Sequence, residues 1–317
     1  MTRRNRRRVS RGDALLDGAA SLLAAPFLAA VSRLSRRRVI GAARALGDLA
    51  FRLSRHDRRV ALANLELIYG AALSPAERDA LARESFRTFF RTVFDAIWFS
   101  HQPSARIARW LRFDPTLESA ARRLPAIIVT AHFGNWELLG WAGGLHGPRT
   151  VTVAAMFPQA RLNRLITRQR QRLGLEIAAR EGALIALVRA LKRGGRVALL
   201  MDQNTRLSEG GVFVPFFGRA ATMSPAAAAL AVRTGAPVIP VFCAAEPDGG
   251  YRAYALPAIE PDLPGGEAAI NRTIAVAFES EIRKRPGQWL WMYRRWKYLP
   301  DGARPSDYPF YAHPPFQ

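Results

Sequence analysis

The chain has 317 residues, 49% of them hydrophobic, with 47 Lys and Arg against 25 Asp and Glu for a formal net charge of +22. That length and apolar fraction can fill a large core, which excludes a disordered chain, and a mean hydropathy of −0.05 excludes a protein that spans a membrane many times. The lone cysteine, Cys243, excludes an internal disulfide framework and a thiolate metal site, while the positive excess implies a polyanionic surrounding (nucleic acid, anionic lipid or an acidic protein) without choosing among them.

Six arginines lie between Thr2 and Gly12 and precede an apolar run, Ala14 to Val31, interrupted by Asp17, Gly18, Ser21 and Pro26. Arg33 and Arg36 to Arg38 follow at once. The run is near the minimum length of a spanning helix. Basic, apolar and small-residue regions stand in the order of a signal peptide, but continuation into more arginine argues against cleavage. Arginine on both flanks cannot satisfy the positive-inside rule for one full span. A helix lying in the cytoplasmic leaflet, held by Arg to anionic lipid, satisfies it; a buried core helix with a basic tail is the alternative. Residues 1–38 are therefore read as a basic N-terminus with a membrane-anchoring helix, and 39–317 as one domain.

Beyond the anchor, Val39 to Tyr69 carries apolar residues at helical spacing, and Ser74-Pro75-Ala76-Glu77 has the residue types of a capping box with Pro at N1. The helix it opens is rich in Phe and Arg and runs to about Trp98. Ala126 to Thr130 is a short β-branched run, a buried strand, with a helix beginning near Trp136. Thr150 to Ala155 reads as a strand and Arg161 to Leu173 as a helix. Glu181 to Lys192 reads as a helix and Arg196 to Met201 as a strand. Ser224 to Thr234, stopped by Gly235, is a helix, and Val238 to Ala244 is the strand after it, with Cys243 as a small buried hydrophobe. Glu260 to Glu267, with two Pro and two Gly, is a surface loop. Alternating strands and helices predict an α/β fold with a mixed, largely parallel central sheet flanked by helices.

Ligands of open α/β sheets gather at the carboxyl ends of strands, and two polar clusters fall there: His132 to Glu137, and Asp202-Gln203-Asn204. From the first helical turn the Glu137 carboxylate can reach back to one imidazole nitrogen of His132. That leaves the other nitrogen as a general base toward a hydroxyl. Gly134 keeps the turn open for backbone N–H groups to approach a reacting oxygen. The alternative is a hydrogen-bonded core histidine beside a helix N-terminal charge. Alternation in Trp289 to Lys297 suggests a strand with Trp289, Trp291 and Tyr293 on one face and Leu290 and Met292 on the other; its Trp and Arg could also stack on and bind nucleic acid. Phe213-Val214-Pro215-Phe216-Phe217 is either the lining of an apolar channel or a packed hairpin core.

Val-Thr-Ala-His132-Phe-Gly-Asn-Trp-Glu137 resembles the His-X4-Asp/Glu motif of glycerolipid acyltransferases, in the Glu-bearing form of the bacterial lipid A biosynthesis (late, or secondary) acyltransferases. Asp202-Gln203-Asn204, Gly211 to Gly218, Pro237 to Val241 and Pro286 to Lys297 occur in that family's order and spacing, so the likeness covers essentially the whole chain. The resemblance implies transfer of a fatty acyl group from an acyl carrier protein thioester to a hydroxyl of a lipid A precursor. His132 would be the base, oriented by Glu137. Neither metal nor organic cofactor is needed, and no acyl-enzyme. The sister possibility is the same chemistry on a lysophospholipid or other glycolipid, with acyl-CoA as a possible donor. The resemblance further implies a substrate-binding set of Arg170, Asp202, Gln203, Asn204, Arg294 and Arg295. Arg170 fits the spacing better than Arg168 or Arg172, and its job is to hold a phosphate or the thioester oxyanion. Arg294 and Arg295 would meet lipid phosphates or structural carboxylates. Many members carry His where this chain has Tyr293, which argues against proton transfer there. The expected setting is the cytoplasmic face of the inner membrane, with anionic lipid and acyl carrier protein as partners and no nucleic acid.

Overall fold

The computed structural model describes residues 26, 28–145, 150–153, 167, 170–172, 174–178 and 182–315. The N-terminal arginines, most of the apolar run from Ala14, Arg168 and most of the helix expected over Arg161 to Leu173 lie outside the described residues. Residues 28–33 are helical, and among the described residues no helix is long and apolar enough to cross a membrane.

Two helices, α1 (Arg36–Leu53) and α2 (Arg55–Tyr69), take up the apolar spacing of Val39 to Tyr69. The capping box forms as expected at α3 (Pro75–Phe99): the Ser74 side chain accepts from the Glu77 N–H, and the Glu77 carboxylate accepts from the Ser74 N–H at 2.7 Å. After α4 (Pro103–Trp110), β1 (Leu111–Phe113) and α5 (Pro115–Ala121), the chain enters β2 (Ala126–Thr130) and α6 (Trp136–Leu145). There follow β3 (Thr150–Val153), β4 (Leu175–Ala178), α7 (Ala183–Lys192) and β5 (Arg196–Leu200). The last part comprises the hairpin β6 (Val212–Phe216) and β7 (Arg219–Met223), then α8 (Ala226–Thr234), β8 (Val238–Ala245), β9 (Tyr251–Ala255) and α9 (Gly266–Lys284).

Seven described strands form one sheet in the order β1-β9-β8-β2-β5-β3-β4. Within it only β8 and β9 pair antiparallel, so the sheet is mixed and largely parallel. β8 is buried along nearly its whole length, the pattern of a strand covered on both faces. On one face Val129, Val197, Leu199 and Phe242 pack with Leu187 and Leu191 of α7, Leu230 of α8 and Ile274 and Phe278 of α9. On the other, Cys243 and Ala253 pack with Leu138 and Trp141 of α6 and Phe94 and Trp98 of α3. Cys243 is fully buried, as expected of a small hydrophobe, and burial pushes its thiol pKa up.

The run Phe213 to Phe217 forms a hairpin whose Val214, Phe216 and Phe217 are core. The two turn residues, Phe217 and Gly218, both have positive φ (51° and 74°), which a tight hairpin requires. A phenylalanine is strained there, and the Glu279 carboxylate fixes it by accepting from its N–H at 2.7 Å. Trp289 to Lys297 is not a strand. It is a series of turns in which Trp291 N–H donates to the Trp289 carbonyl and Tyr293 N–H to that of Leu290. Trp289, Trp291 and Trp296 are at most 1% exposed, so they pack the core and cannot stack on bases.

Candidate active site

Strands β2 and β5 are parallel neighbours, and their last residues, Thr130 and Leu200, face each other in register. Two residues further on each, His132 and Asp202 therefore arrive at the same height above the sheet. His132 Nδ1 lies 2.7 Å from Asp202 Oδ1, and Asp202 Oδ2 accepts from the His132 backbone N–H at 2.9 Å. The Trp289 indole N–H donates to that same Oδ2 at 2.9 Å. The carboxylate is 3% exposed, the imidazole 17%. His132 Nε2 faces Gln203 Nε2 at 3.4 Å. An Nδ1–H donated to Asp202 leaves the lone pair on Nε2, toward the open side.

Burial disfavours the charged imidazole, but the Asp202 carboxylate, its hydrogen bond and the charge of Glu137 outweigh it, and the His132 pKa is raised. Burial alone would raise Asp202. The charge of His132, and the donors from its ring, from Trp289 and from the His132 backbone, hold the carboxyl below its ordinary value instead.

The carboxylate on the His132 ring is thus that of Asp202, where Glu137 was expected. Glu137 is bonded to Arg170, with Arg170 NH2 to Glu137 Oε1 at 2.5 Å and Nε to Oε2 at 3.3 Å. It reaches His132 through its charge. The backbone N–H groups of the turn are also committed. His132 donates to Asp202, Gly134 to the Gln288 carbonyl at 2.9 Å and Asn135 to the Cys243 carbonyl at 2.9 Å, so none of these three is left for a reacting oxygen.

Gly134 serves close approach instead. It sits at φ +57°, and a Cβ there would overlap the Cys243 carbonyl oxygen. Gly134→Ala is expected to cost about 2 kcal/mol or more from the left-handed backbone and the clash, read as a lower thermal midpoint together with loss of most activity. Gly143→Ala, in α6 with nothing within 4 Å of the added methyl, should leave the midpoint unchanged or slightly higher.

One face of α3 builds the floor of the site. Ser85, Thr88, Thr92 and Asp95 follow one another at three- or four-residue spacing, and all are buried. Ser85 Oγ donates to the Trp289 carbonyl at 2.5 Å and accepts from Trp291 N–H at 3.0 Å. Thr88 donates to the Gly287 carbonyl at 3.0 Å and Thr92 to that of Gly134 at 2.9 Å. Asp95 accepts from the Asn135 amide at 3.3 Å, and Asn135 Oδ1 caps α6 by accepting from Leu138 N–H at 2.9 Å. The sequence reading did not single out this stripe; its signal was four small polar residues at helical spacing inside a long helix.

The remaining predicted residues divide. Gln203 stays at the mouth beside Nε2. Asn204 and Arg295 hold the protein to itself: Arg295 NH1 donates to Asn204 Oδ1 at 2.9 Å and to the Thr222 carbonyl at 2.5 Å, and Arg295 is 1% exposed. Burial drops its pKa to about 10. A guanidinium enclosed this way is not open to a lipid phosphate, which corrects the expectation for Arg295. Asn204 N–H donates to the Tyr293 hydroxyl at 3.0 Å and its Nδ2 to the Arg294 carbonyl at 2.7 Å, and the residue is half-buried. The Arg294 side chain is exposed and contacts His56 at 2.5 Å. Arg36, expected in the lipid-facing cluster, is 6% exposed and paired with Asp95.

The family model for bacterial lipid A biosynthesis acyltransferases matches residues 15–298. A phosphatidylinositol mannoside acyltransferase of Mycobacterium tuberculosis is 32% identical over 220 residues, 67% of this chain and 68% of that protein. The lipid A biosynthesis palmitoleoyltransferase of Escherichia coli K12 is 29% identical over 81% of this chain and 84% of its own length. The lauroyltransferase of the same organism is 28% identical over 83% and 86%. With the family model spanning all but the two ends of the chain, this protein belongs to the bacterial lipid A biosynthesis acyltransferases and is an acyltransferase.

Proposed function

We propose that the protein moves a fatty acyl chain from an acyl carrier protein thioester to a hydroxyl of a lipid A precursor, with His132 as general base. The observation that carries this reading is an imidazole with Nδ1 committed to a buried carboxylate and Nε2 turned to the mouth of the site. The acceptor hydroxyl gives its proton to Nε2 as its oxygen attacks the thioester carbonyl carbon. Asp202 stabilises the imidazolium that forms. When the C–S bond breaks, the leaving sulfur takes the proton back from Nε2, and ester and thiol result. Arg170, steadied by Glu137, is assigned to the oxyanion or to an acceptor phosphate.

The setting we infer is the cytoplasmic face of the inner membrane, against anionic lipid. Supporting it, α1 exposes Leu46, Leu49 and Leu53 along one side, the last at 72%. Exposed Arg37, Arg38, Arg44 and Arg52 stand beside them, an arrangement suited to a charged lipid surface.

A second acceptor, a mannosylated phosphatidylinositol or a related glycolipid, is favoured by the 32% identity to the mycobacterial enzyme. The test is a matrix of donors (acyl carrier protein thioester, acyl-CoA) against acceptors (lipid A precursor, mannosylated phosphatidylinositol, lysophospholipid), read by mass spectrometry. The proposal expects one added acyl chain on the lipid A precursor, fastest from the carrier protein. Transfer to another acceptor alone would replace it.

A further inference from the structure

Asp202 carries three donors, and two of them come from His132 itself, through its ring and its backbone. The third, the Trp289 indole N–H, comes from 87 residues away. Trp289 is 1% exposed and is fixed from several sides: an edge-on contact with Trp291 at 4.7 Å, a tilted one with Phe216 at 5.8 Å, and the Ser85 hydroxyl on its carbonyl. A backbone bridge also joins Trp289 to Phe133, one residue after the histidine. Its indole is therefore referenced to the same turn that carries His132.

We propose that Trp289 is a positioning residue for the transfer reaction, holding the Asp202 carboxylate in the single rotamer that serves both the ring and the backbone of His132. The assignment rests on His132 as the base. Without the indole N–H, the Oδ2 oxygen keeps one donor, and rotation of the carboxylate is opposed only by the histidine it is meant to orient. The Ser85–Thr88–Thr92 stripe of α3 then has a purpose beyond packing, since it fixes the backbone of residues 287, 289 and 291 and of Gly134 in one frame. Trp291 makes an informative contrast. It is equally buried, but its indole donates to the Pro286 carbonyl at 2.7 Å, away from the pair.

The experiment compares Trp289→Phe with Trp291→Phe in the full-length protein, reading kcat, KM, thermal midpoint and the acid limb of kcat/KM against pH. Both variants lose an indole from the same cluster, so both should melt lower. Without the indole the carboxylate is free to turn from the ring, which weakens the charge that raises the His132 pKa, so in Trp289→Phe the acid limb moves down by about 0.5 pH unit or more. Its kcat should fall about ten-fold with KM within about two-fold. Trp291→Phe keeps the wild-type limb. Ser85→Ala, which frees the Trp289 carbonyl without emptying the cluster, should shift the limb the same way by less, and it serves if Trp289→Phe does not fold. A wild-type limb in Trp289→Phe and Ser85→Ala, or equal shifts in Trp289→Phe and Trp291→Phe, overturns the proposal. If His132→Ala keeps activity, the base assignment has failed instead; if His132→Ala is inactive, a negative result at Trp289 concerns Trp289 alone.

Discussion

Asp202→Asn should lower kcat by about 10³- to 10⁴-fold while leaving both KM values within about three-fold. The amide keeps the shape of the carboxylate but loses what matters to the base. An Asn Nδ2 turned toward the ring donates to Nδ1 and drives the proton to Nε2, the tautomer that cannot accept from a hydroxyl. Turned the other way, its oxygen still orients the ring but cannot neutralise the imidazolium. The pH profile separates this from simple damage. The proposed base His132 would have to be unprotonated to act, and its pKa is raised in the wild type, so activity is expected to be lost as pH falls through a value above the ordinary 6.5. In Asp202→Asn the burial that opposes the charged ring remains and the largest opposing charge is gone. The acid limb of the residual activity should fall below 6.5. Glu137→Gln should move the limb down by less, since Glu137 touches Arg170 and reaches His132 only at a distance. His132→Ala should lose as much as Asp202→Asn, and the double variant little more, because the two residues act as one unit. An unchanged limb in Asp202→Asn would remove Asp202 from the proton path.

The difference between Glu137 and Asp202 marks how far sequence reading carries. Both carboxylates were legible as strand-end residues, and β2, β5 and β8 were legible as short apolar runs. Which carboxylate meets the imidazole depends on the order of strands and the register Thr130 to Leu200, a long-range property absent from local spacing. Five residues of separation made Glu137 the nearer partner in the chain, whereas the parallel pairing made Asp202 the nearer in space.

The other differences have similar causes. β9, Tyr251-Arg-Ala-Tyr-Ala, lacks the β-branched residues that mark a strand, and its buried–exposed alternation becomes visible only when it lies against β8. The run from Trp289 carried alternation that suits a strand, but its carbonyls are taken by side chains rather than by a ladder. Asn64 Nδ2 donates to the carbonyls of Trp291 and Tyr293 at 2.7 and 2.8 Å, and Ser85 to that of Trp289. Those partners precede the run by some two hundred residues, and polar side chains inside helices rarely announce which distant loop they will hold. Likewise Arg36 looked like one of a basic cluster. Its burial follows from Asp95, which sits four residues from Arg91 and shares a helix face with three hydroxyls.

Asp95→Ala should destabilise the folded protein by about 3–5 kcal/mol, the range for removing one partner of a buried ion pair. Asp95 is fully buried and takes two N–H groups of Arg36, the Tyr251 hydroxyl and the Asn135 amide. Arg36 is enclosed by the rings of Trp98, Phe99, Trp110 and Tyr251, with centroids 5.1 to 5.7 Å from its guanidinium carbon. Removing the carboxylate strands a charge among aromatic faces, which compensate only a fraction of the loss. Asp95→Asn should cost nearly as much. Arg36 NH1 meets one carboxylate oxygen and NH2 the other, so an amide nitrogen at this position would face a guanidinium donor whichever way it turns. Replacing both partners, as in Arg36→Met with Asp95→Leu, should recover part of the loss, because Arg36 is then no longer stranded, while Arg91, whose Nε lies 3.9 Å from the carboxylate, still loses its acidic partner. Urea denaturation of the two single variants and the double variant gives the coupling directly. If the double variant is as unstable as the sum of the singles, the pair is not an energetic unit. Asn135 separates stability from function. It loses a partner in either replacement, and it caps α6 directly after the turn that carries His132. The recovered double variant should therefore fold yet keep reduced kcat, because Asn135 joins the ion pair beneath α1 to the turn that carries His132.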